Sequence, residues 1–294
     1  MTTTDALARL PKRLPFLSGP RLVWRIVWDA LKRSMIHRRS NDATPRRVVA
    51  TRATPRFPSL LRATPRLPRH PILLAHGYLG FGALGQAGAR RYFRGVREYL
   101  ESIGCQVHLL SVPPAASVAV RARELARQVT RIDADRVNIV AHSMGGLDAR
   151  YAISRLGMSS KVASLVTLGT PHRGTPLADL LYDGVHALSG DGLRDLTTPS
   201  SDEFNLAVRD VDSVRYGSIA CSSTRVPGFL SMGFDYLRRV AGPNDGMVPT
   251  ASQRWGRVLR EVDADHLAQI GWSNHFDVRS LYAFLVAHVA SWGC

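Results

Sequence analysis

A single serine stands where an apolar run passes into a helical pattern, in Val137-Asn138-Ile139-Val140-Ala141-His142-Ser143-Met144-Gly145-Gly146. A strand that enters a helix through one tight turn lifts the hydroxyl of the turn residue into the open, and it needs small neighbours two positions to either side. Gly145 meets that need on one side; Ala141 meets it on the other, where glycine is more usual. The helix that follows directs its positive N-terminal end at the same point, which favours an anion forming there. A serine ahead of a helix is often only an N-cap. That would account for Ser143 alone, but not for the complete frame of small residues behind an apolar strand. Ser143 is therefore read as a nucleophile.

A serine attacking a carbonyl carbon needs two N–H donors for the oxyanion, a base for its proton and a carboxylate to orient the base. One donor comes from the residue after the nucleophile, Met144. The other is expected in the loop after the apolar run Ile72–Ala75, where His76-Gly77-Tyr78 makes Tyr78 the donor and Gly77 permits a close approach. His76 reads as a brace for that loop rather than as the base. The same loop contains Gly80-Phe81-Gly82-Ala83-Leu84-Gly85, a formal match to a dinucleotide fingerprint. Such a site also needs an acid at the end of the next strand. The run Val107–Leu110 ends in Ser111-Val112-Pro113, with no acid. No nicotinamide or other cofactor, and no metal, is expected.

The carboxylate and the base should follow the serine in that order. Ala241-Gly242-Pro243-Asn244-Asp245-Gly246-Met247-Val248-Pro249 is a polar turn with one acid, suited to present Asp245 above a strand end. His266 lies twenty-one positions further on. His275 and His288 are rivals for the base; His288 falls in a helical pattern over 278–292, where packing is its more natural role. The residues alone place His266 ahead of His275 without excluding it.

Elements to carry these groups alternate along the chain. Short apolar runs at Ile72–Ala75, Val107–Leu110, 137–141 and 163–168 read as strands, and helical patterns lie between them at 92–103, 117–132 and 144–156. This alternation predicts a mainly parallel sheet with helices on both faces and reactive groups beyond the carboxyl ends of the strands.

The chain of 294 residues carries a net charge of +16, unevenly placed. Residues 1–70 hold 16 Lys and Arg against Asp5, Asp29 and Asp42, so most of the excess is a basic arm on a balanced domain. Within it, Leu22, Val23, Ile26, Val27, Ala30, Leu31, Met35 and Ile36 recur at helical spacing opposite Arg21, Arg25, Lys32 and Arg33, with Trp24 and Trp28 near the boundary. The pattern is that of a helix lying on an anionic membrane or lipid particle, with packing on the domain as the alternative. Ala-Thr-Pro-Arg then occurs at 43–46, 53–56 and 63–66, the composition of an extended linker. The organisation expected is an amphipathic segment 1–40, a linker 41–70 and a catalytic domain 71–294 with a helical cap at about 173–240. Cys105, Cys221 and Cys294 lack metal-ligand spacing and read as reduced thiols of a cytosol-like compartment, with Cys105 and Cys221, at the ends of apolar runs, as buried packing residues. No secretory signal and no transmembrane helix is expected, since the apolar run after Pro20 is broken by Arg25 and Asp29.

Together these motifs resemble the secreted bacterial triacylglycerol lipases, α/β-hydrolases, over most of residues 71–290. The likeness rests on His76-Gly77, Ala141-His142-Ser143-Met144-Gly145-Gly146, Gly169-Thr170-Pro171-His172-Arg173-Gly174, Asn244-Asp245-Gly246 and Asp265-His266-Leu267. The resemblance implies Ser143, Asp245 and His266 as a catalytic triad and Tyr78 and Met144 as the oxyanion hole. Two departures stand out. The family's calcium-binding aspartate, two positions after the histidine, is here Ala268, and its disulfide cysteine after the Asn-Asp-Gly turn is here Ala251. The segment 173–240 is also shorter than the family's lid region. Thr175 as N-cap and Pro176 at the first helical position should still start a helix with Leu177, Leu180, Leu181, Val185 and Leu188 on one face. The function expected is hydrolysis of lipid-like carboxylic esters. An acyltransferase or an intracellular polyester depolymerase on the same residues, and a membrane or nucleic-acid adaptor, are the alternatives; the intact triad disfavours the adaptor, and no nucleic-acid partner is expected.

Overall fold

The computed structural model describes residues 66–80, 85–189 and 191–294. The amphipathic segment 1–40 and almost all of the linker 41–70 lie outside the described residues. All four expected strands are present: β1 (Ile72–Ala75), β2 (Val107–Leu110), β3 (Val137–His142) and β4 (Val162–Leu168), the last two a residue longer than the apolar runs suggest. With β5 (Arg215–Ser222) and β6 (Arg257–Asp263) they form one sheet in the order β2-β1-β3-β4-β5-β6, parallel at every pairing. Side chains on β1 and β3 alternate between two cores, as a period of two requires. Ile72, Leu74 and Val140 face one; Leu73, Ala75, Ile139 and Ala141 face the other. Both faces are therefore covered, which is why these strands are mostly apolar instead of alternating regularly with polar residues.

The helical run 92–103 is broken in the structure. α1 (Gly85–Tyr92) ends before α2 (Val96–Ser102) begins, because Gly95 at φ 71° takes a left-handed conformation that interrupts the helix. α3 (Val118–Val129) and α4 (Gly145–Arg155) fall within the patterns at 117–132 and 144–156, and Ser117 caps α3 by accepting from the Val120 N–H. The expectation of a cap over 173–240 needs correction. β5 lies inside that range and is an inner strand of the sheet, so the helical insertion divides into α5 (Pro176–Ser189), α6 (Asp191–Arg194) and α7 (Thr198–Ala207) before β5, and α8 (Ser231–Val240) after it. Strand β5 is Arg-Tyr-Gly-Ser-Ile-Ala-Cys-Ser, buried by its neighbours despite little apolar bulk of its own, and so it gives no strong apolar signal. A short α9 (Thr250–Gln253) follows the acid turn, and α10 (Val278–Ser291) closes the described fold. Cys105, Cys221 and Cys294 are all buried free thiols. No helix among the described residues is long and apolar enough to cross a membrane.

Candidate active site

The loops beyond the carboxyl ends of β1, β3 and β4 converge on Ser143. Its backbone is left-handed, φ 56°, a conformation that costs a residue with a Cβ on the order of 1 kcal/mol or more. Hydrogen bonds hold it there. The Ser143 N–H donates to Leu168 O at 2.9 Å, and its carbonyl accepts from Thr170 Oγ1 at 2.7 Å and from the Gly146 N–H at 3.1 Å. The need for glycine at 145 is visible directly: a Cβ there would lie 2.7 Å from Ala75 O and 2.8 Å from His76 O, both backbone atoms that have no room to give. The N-cap position of α4 falls to Met144, so its N–H is among the helix-end donors beside the serine.

Gly77 brings the oxyanion loop against the nucleophile. A Cβ on it would sit 2.5 Å from Ser143 Cβ and 2.9 Å from Ser143 Oγ, so only glycine allows this approach. Tyr78, the expected donor, is the next residue. His76 proves to be a brace: its Nε2 accepts from the Val112 N–H at 3.2 Å, which leaves Nδ1 to donate to Gly77 O at 2.9 Å. Burial holds its pKa down to about 4, so the ring is neutral. Underneath, the wholly buried Arg121 donates to His76 O at 2.8 Å, to Pro113 O at 2.9 Å and to Asp148 Oδ2 at 2.9 Å. Burial pushes the Asp148 carboxyl up while Arg121 opposes the shift. A buried charge pair is tolerable where its remaining donors are satisfied, and here Arg121 uses them to fix the loop.

Asp245 and His266 are paired as expected. His266 Nδ1 donates to Asp245 Oδ2 at 2.8 Å, and the His266 N–H donates to Asp245 O at 2.8 Å. With Nδ1 so engaged, Nε2 is the nitrogen left to take a proton. Asp245 is fully buried, yet four donors reach its carboxylate: His266 Nδ1 and Gln269 Nε2 on Oδ2, and the Met247 and Val248 N–H groups on Oδ1. The turn after β4 touches this pair, since a Cβ on Gly169 would come within 3.2 Å of Asp245 Oδ2. The His266 ring lies 4.5 Å, centroid to centroid, from His142, the residue before Ser143. His275 is exposed, and His288, on α10, packs beside Phe284 and Trp292, so neither rival joins the cluster. Sequence reasoning missed three residues here: Tyr92, His142 and Gln269. Only the place of His142 beside Ser143 signalled any of them.

The calcium position implied by the resemblance does not fit a cation. Ala268 is a buried apolar residue, and the nearby Asp265 Oδ1 already accepts from the Leu267 and Ala268 N–H groups at 2.9 and 3.0 Å. Among the described residues no group of three or more His, Cys, Asp or Glu side chains could hold a metal. Beyond the site, Thr175 both approaches the Leu177 N–H as N-cap of α5, at 3.4 Å, and donates to Met247 O at 2.8 Å, tying the helical insertion to the acid turn.

Comparison with known proteins agrees with this geometry. Residues 119–220 match the family described as PGAP1-like alpha/beta domain. Triacylglycerol lipase 2 of Saccharomyces cerevisiae is 34% identical over 207 residues, which cover 62% of this chain and 63% of the yeast protein; the chain thus spans somewhat less than two thirds of that relative. A metagenomic carboxyl esterase shares the fold at a TM-score of 0.68, 20% identity and 99% coverage of both chains, and the mature form of a Bacillus licheniformis lipase does so at 0.61 and 24%, covering 70% of this chain and 87% of its own. A triacylglycerol lipase of Vibrio cholerae is 30% identical over 254 residues, 69% of this chain and 80% of that protein. The parallel sheet, the elbow at Ser143 and this extended likeness agree: the chain belongs to the triacylglycerol lipase family of α/β-hydrolases.

Proposed function

We propose that the protein hydrolyses carboxylic esters of lipid-like substrates, acylglycerols foremost, through an acyl-enzyme on Ser143. The observation that carries this reading is the left-handed Ser143, pressed against Gly77 on one side, with its neighbour His142 packed 4.5 Å from the ring of His266, itself paired with Asp245. His266 Nε2 takes the proton of Ser143 as Oγ bonds to the ester carbonyl carbon, and Asp245 stabilises the imidazolium. The backbone N–H groups of Tyr78 and Met144 receive the oxyanion; each such donor contributes about 10²- to 10³-fold in rate. His266 then gives its proton to the departing alkoxide, and the C–O bond to the alcohol breaks. A water, deprotonated by the same nitrogen, releases the acid and restores Ser143.

A fluorophosphonate probe should label the wild-type protein and not Ser143→Ala, and only the wild type should release fatty acid from a triacylglycerol emulsion. Equal hydrolysis by Ser143→Ala would sink the reading. The basic amphipathic segment, residues 20–39, would hold the enzyme to an anionic lipid surface without taking part in the chemistry. Its support is the pairing of an apolar stripe with Arg21, Arg25, Lys32 and Arg33.

A further inference from the structure

The reaction just described uses neither Tyr92 nor His142, yet these two buried side chains connect its two halves. The Gly77 N–H donates to Tyr92 Oη at 3.1 Å, Tyr92 Oη lies 2.7 Å from His142 Nδ1, and His142 Nε2 lies 3.0 Å from the carbonyl oxygen of His266. A carbonyl can only accept, so His142 Nε2 carries the hydrogen. A neutral ring then has a bare Nδ1, which must accept, and the Tyr92 hydroxyl must donate to it. The donor directions run in one sense from Gly77 through Tyr92 and His142 to His266. A reversal of the middle bond would put the hydrogen on His142 Nδ1 and leave the Nε2 lone pair facing the His266 carbonyl.

From this we infer that Tyr92 and His142 are positioning residues that hold the oxyanion loop and the base in a fixed relation to each other. The inference rests on the reading of Ser143, Asp245 and His266 as the triad. One end of the relay fixes the Gly77 peptide, immediately before the Tyr78 donor; the other fixes the backbone of His266. His142 is wholly buried, with its ring 5.7 Å from that of Tyr92 and 4.5 Å from that of His266. Burial, reinforced by His266, pushes its pKa well down, so the ring stays neutral and keeps one tautomer. Without the Tyr92 hydroxyl, Nδ1 could carry the hydrogen instead. Nε2 would then turn a lone pair toward the His266 carbonyl, and the repulsion would displace the base. Displacements well under 1 Å at such a site are felt chiefly in the chemical step.

The test uses the full-length protein and a soluble short-chain p-nitrophenyl ester. Tyr92→Phe should lower kcat by about 10- to 100-fold with KM within about twofold. His142→Gln, whose amide can accept and donate in the same two directions, should retain several-fold more activity than the apolar His142→Leu. A folded Tyr92→Phe enzyme with wild-type kcat would overturn the proposal, and so would equal losses in the two His142 variants. Should the variants fail to fold, ¹⁵N-histidine spectra of the wild type decide it: His142 is expected to be protonated at Nε2 and bare at Nδ1 at neutral pH, and a proton on Nδ1 would refute the relay. A Ser143→Ala protein as active as its parent would instead remove the triad reading, and the spectra would still judge the bonds on their own.

Discussion

Gln269 donates its side-chain amide to Asp245 Oδ2 at 2.9 Å, the same oxygen that receives His266 Nδ1. Its other neighbour is Gly169, whose missing Cβ would lie 2.5 Å from Gln269 Oε1, so the amide is wedged between the β4 turn and the carboxylate. A hydrogen bond to a charged group contributes about 1.5–3 kcal/mol. Gln269→Met, which keeps the bulk and loses the donor, should therefore reduce kcat about 10- to 100-fold on a soluble ester while KM changes little. Wild-type kcat in a variant of unchanged melting temperature would show that Asp245 holds its place without the amide.

The approach of Gly77 to the nucleophile makes a second expectation. Gly77→Ala places a carbon 2.5 Å from Ser143 Cβ and 2.9 Å from both Ser143 Oγ and Tyr92 Oη, contacts that real Cβ atoms do not make. Either the loop withdraws, carrying the Tyr78 N–H away from the oxyanion, or the elbow shifts. Activity should fall at least as far as the loss of one oxyanion donor, about 10²-fold. Fluorophosphonate labelling should slow in parallel. A variant that labels and turns over at the parent's rate would mean the loop is not confined against Ser143.

Much of this was legible in the residues because the demands are local. The elbow needs small side chains two positions from Ser143, and a sequence of ten residues contains that whole requirement. The strands β1 to β4 were readable because burial on both faces leaves them mostly apolar, with only a few polar residues such as Asn138, Ser164 and Thr167 among them. What stayed hidden is what only the fold brings together. The partners of the Tyr92 relay are separated by 15, 50 and 124 positions, and nothing local marks a tyrosine at the end of a helix as the partner of a histidine before the serine. Gln269 likewise shows its value only once the β4 turn and Asp245 meet it. Strand β5 was lost inside the expected cap because Gly217, Ser218, Ala220 and Cys221 are small, and the bulk that buries them comes from neighbours; Trp292 and Leu259 close around Gly217. Gly95 was the one available warning that the run 92–103 is two helices.

The basic arm can be tested apart from the chemistry. A protein beginning at Arg69 should hydrolyse a soluble ester at the full-length rate but no longer bind anionic liposomes, since each basic residue near such a surface contributes about 1 kcal/mol. Salt should weaken binding by the full-length protein, as it would for a nucleic-acid partner, so salt alone does not discriminate. Trp24 and Trp28 do. Their emission, taken as the full-length signal less that of the shortened protein, should shift to the blue on liposomes. Tight RNA binding with no such shift would give the arm a different partner.

The buried histidines also set how stability responds to acid. His76, held neutral by burial with a pKa of about 4, meets protons near 6.5 only in the unfolded chain. Between these values the unfolded state binds more protons, so stability from this group is complete above about pH 6.5 and is lost as pH falls toward 4. From pH 7 to pH 5 the loss amounts to about 2 kcal/mol. His142 and His172 shift in the same direction, whereas Asp148, Asp195 and Asp265, raised by burial, act in the opposite sense over the acid range. The net slope of the wild type therefore mixes several groups, and the informative quantity is a difference. His76→Gln can still accept from the Val112 N–H and donate to Gly77 O, but it cannot take up a proton. Urea unfolding at pH 7 and pH 5 should show that the variant loses about 2 kcal/mol less than the wild type over that interval, whatever its stability at pH 7. Coincident pH dependence in the two proteins would mean that His76 binds protons equally in both states, and its role as a neutral brace would have to be given up.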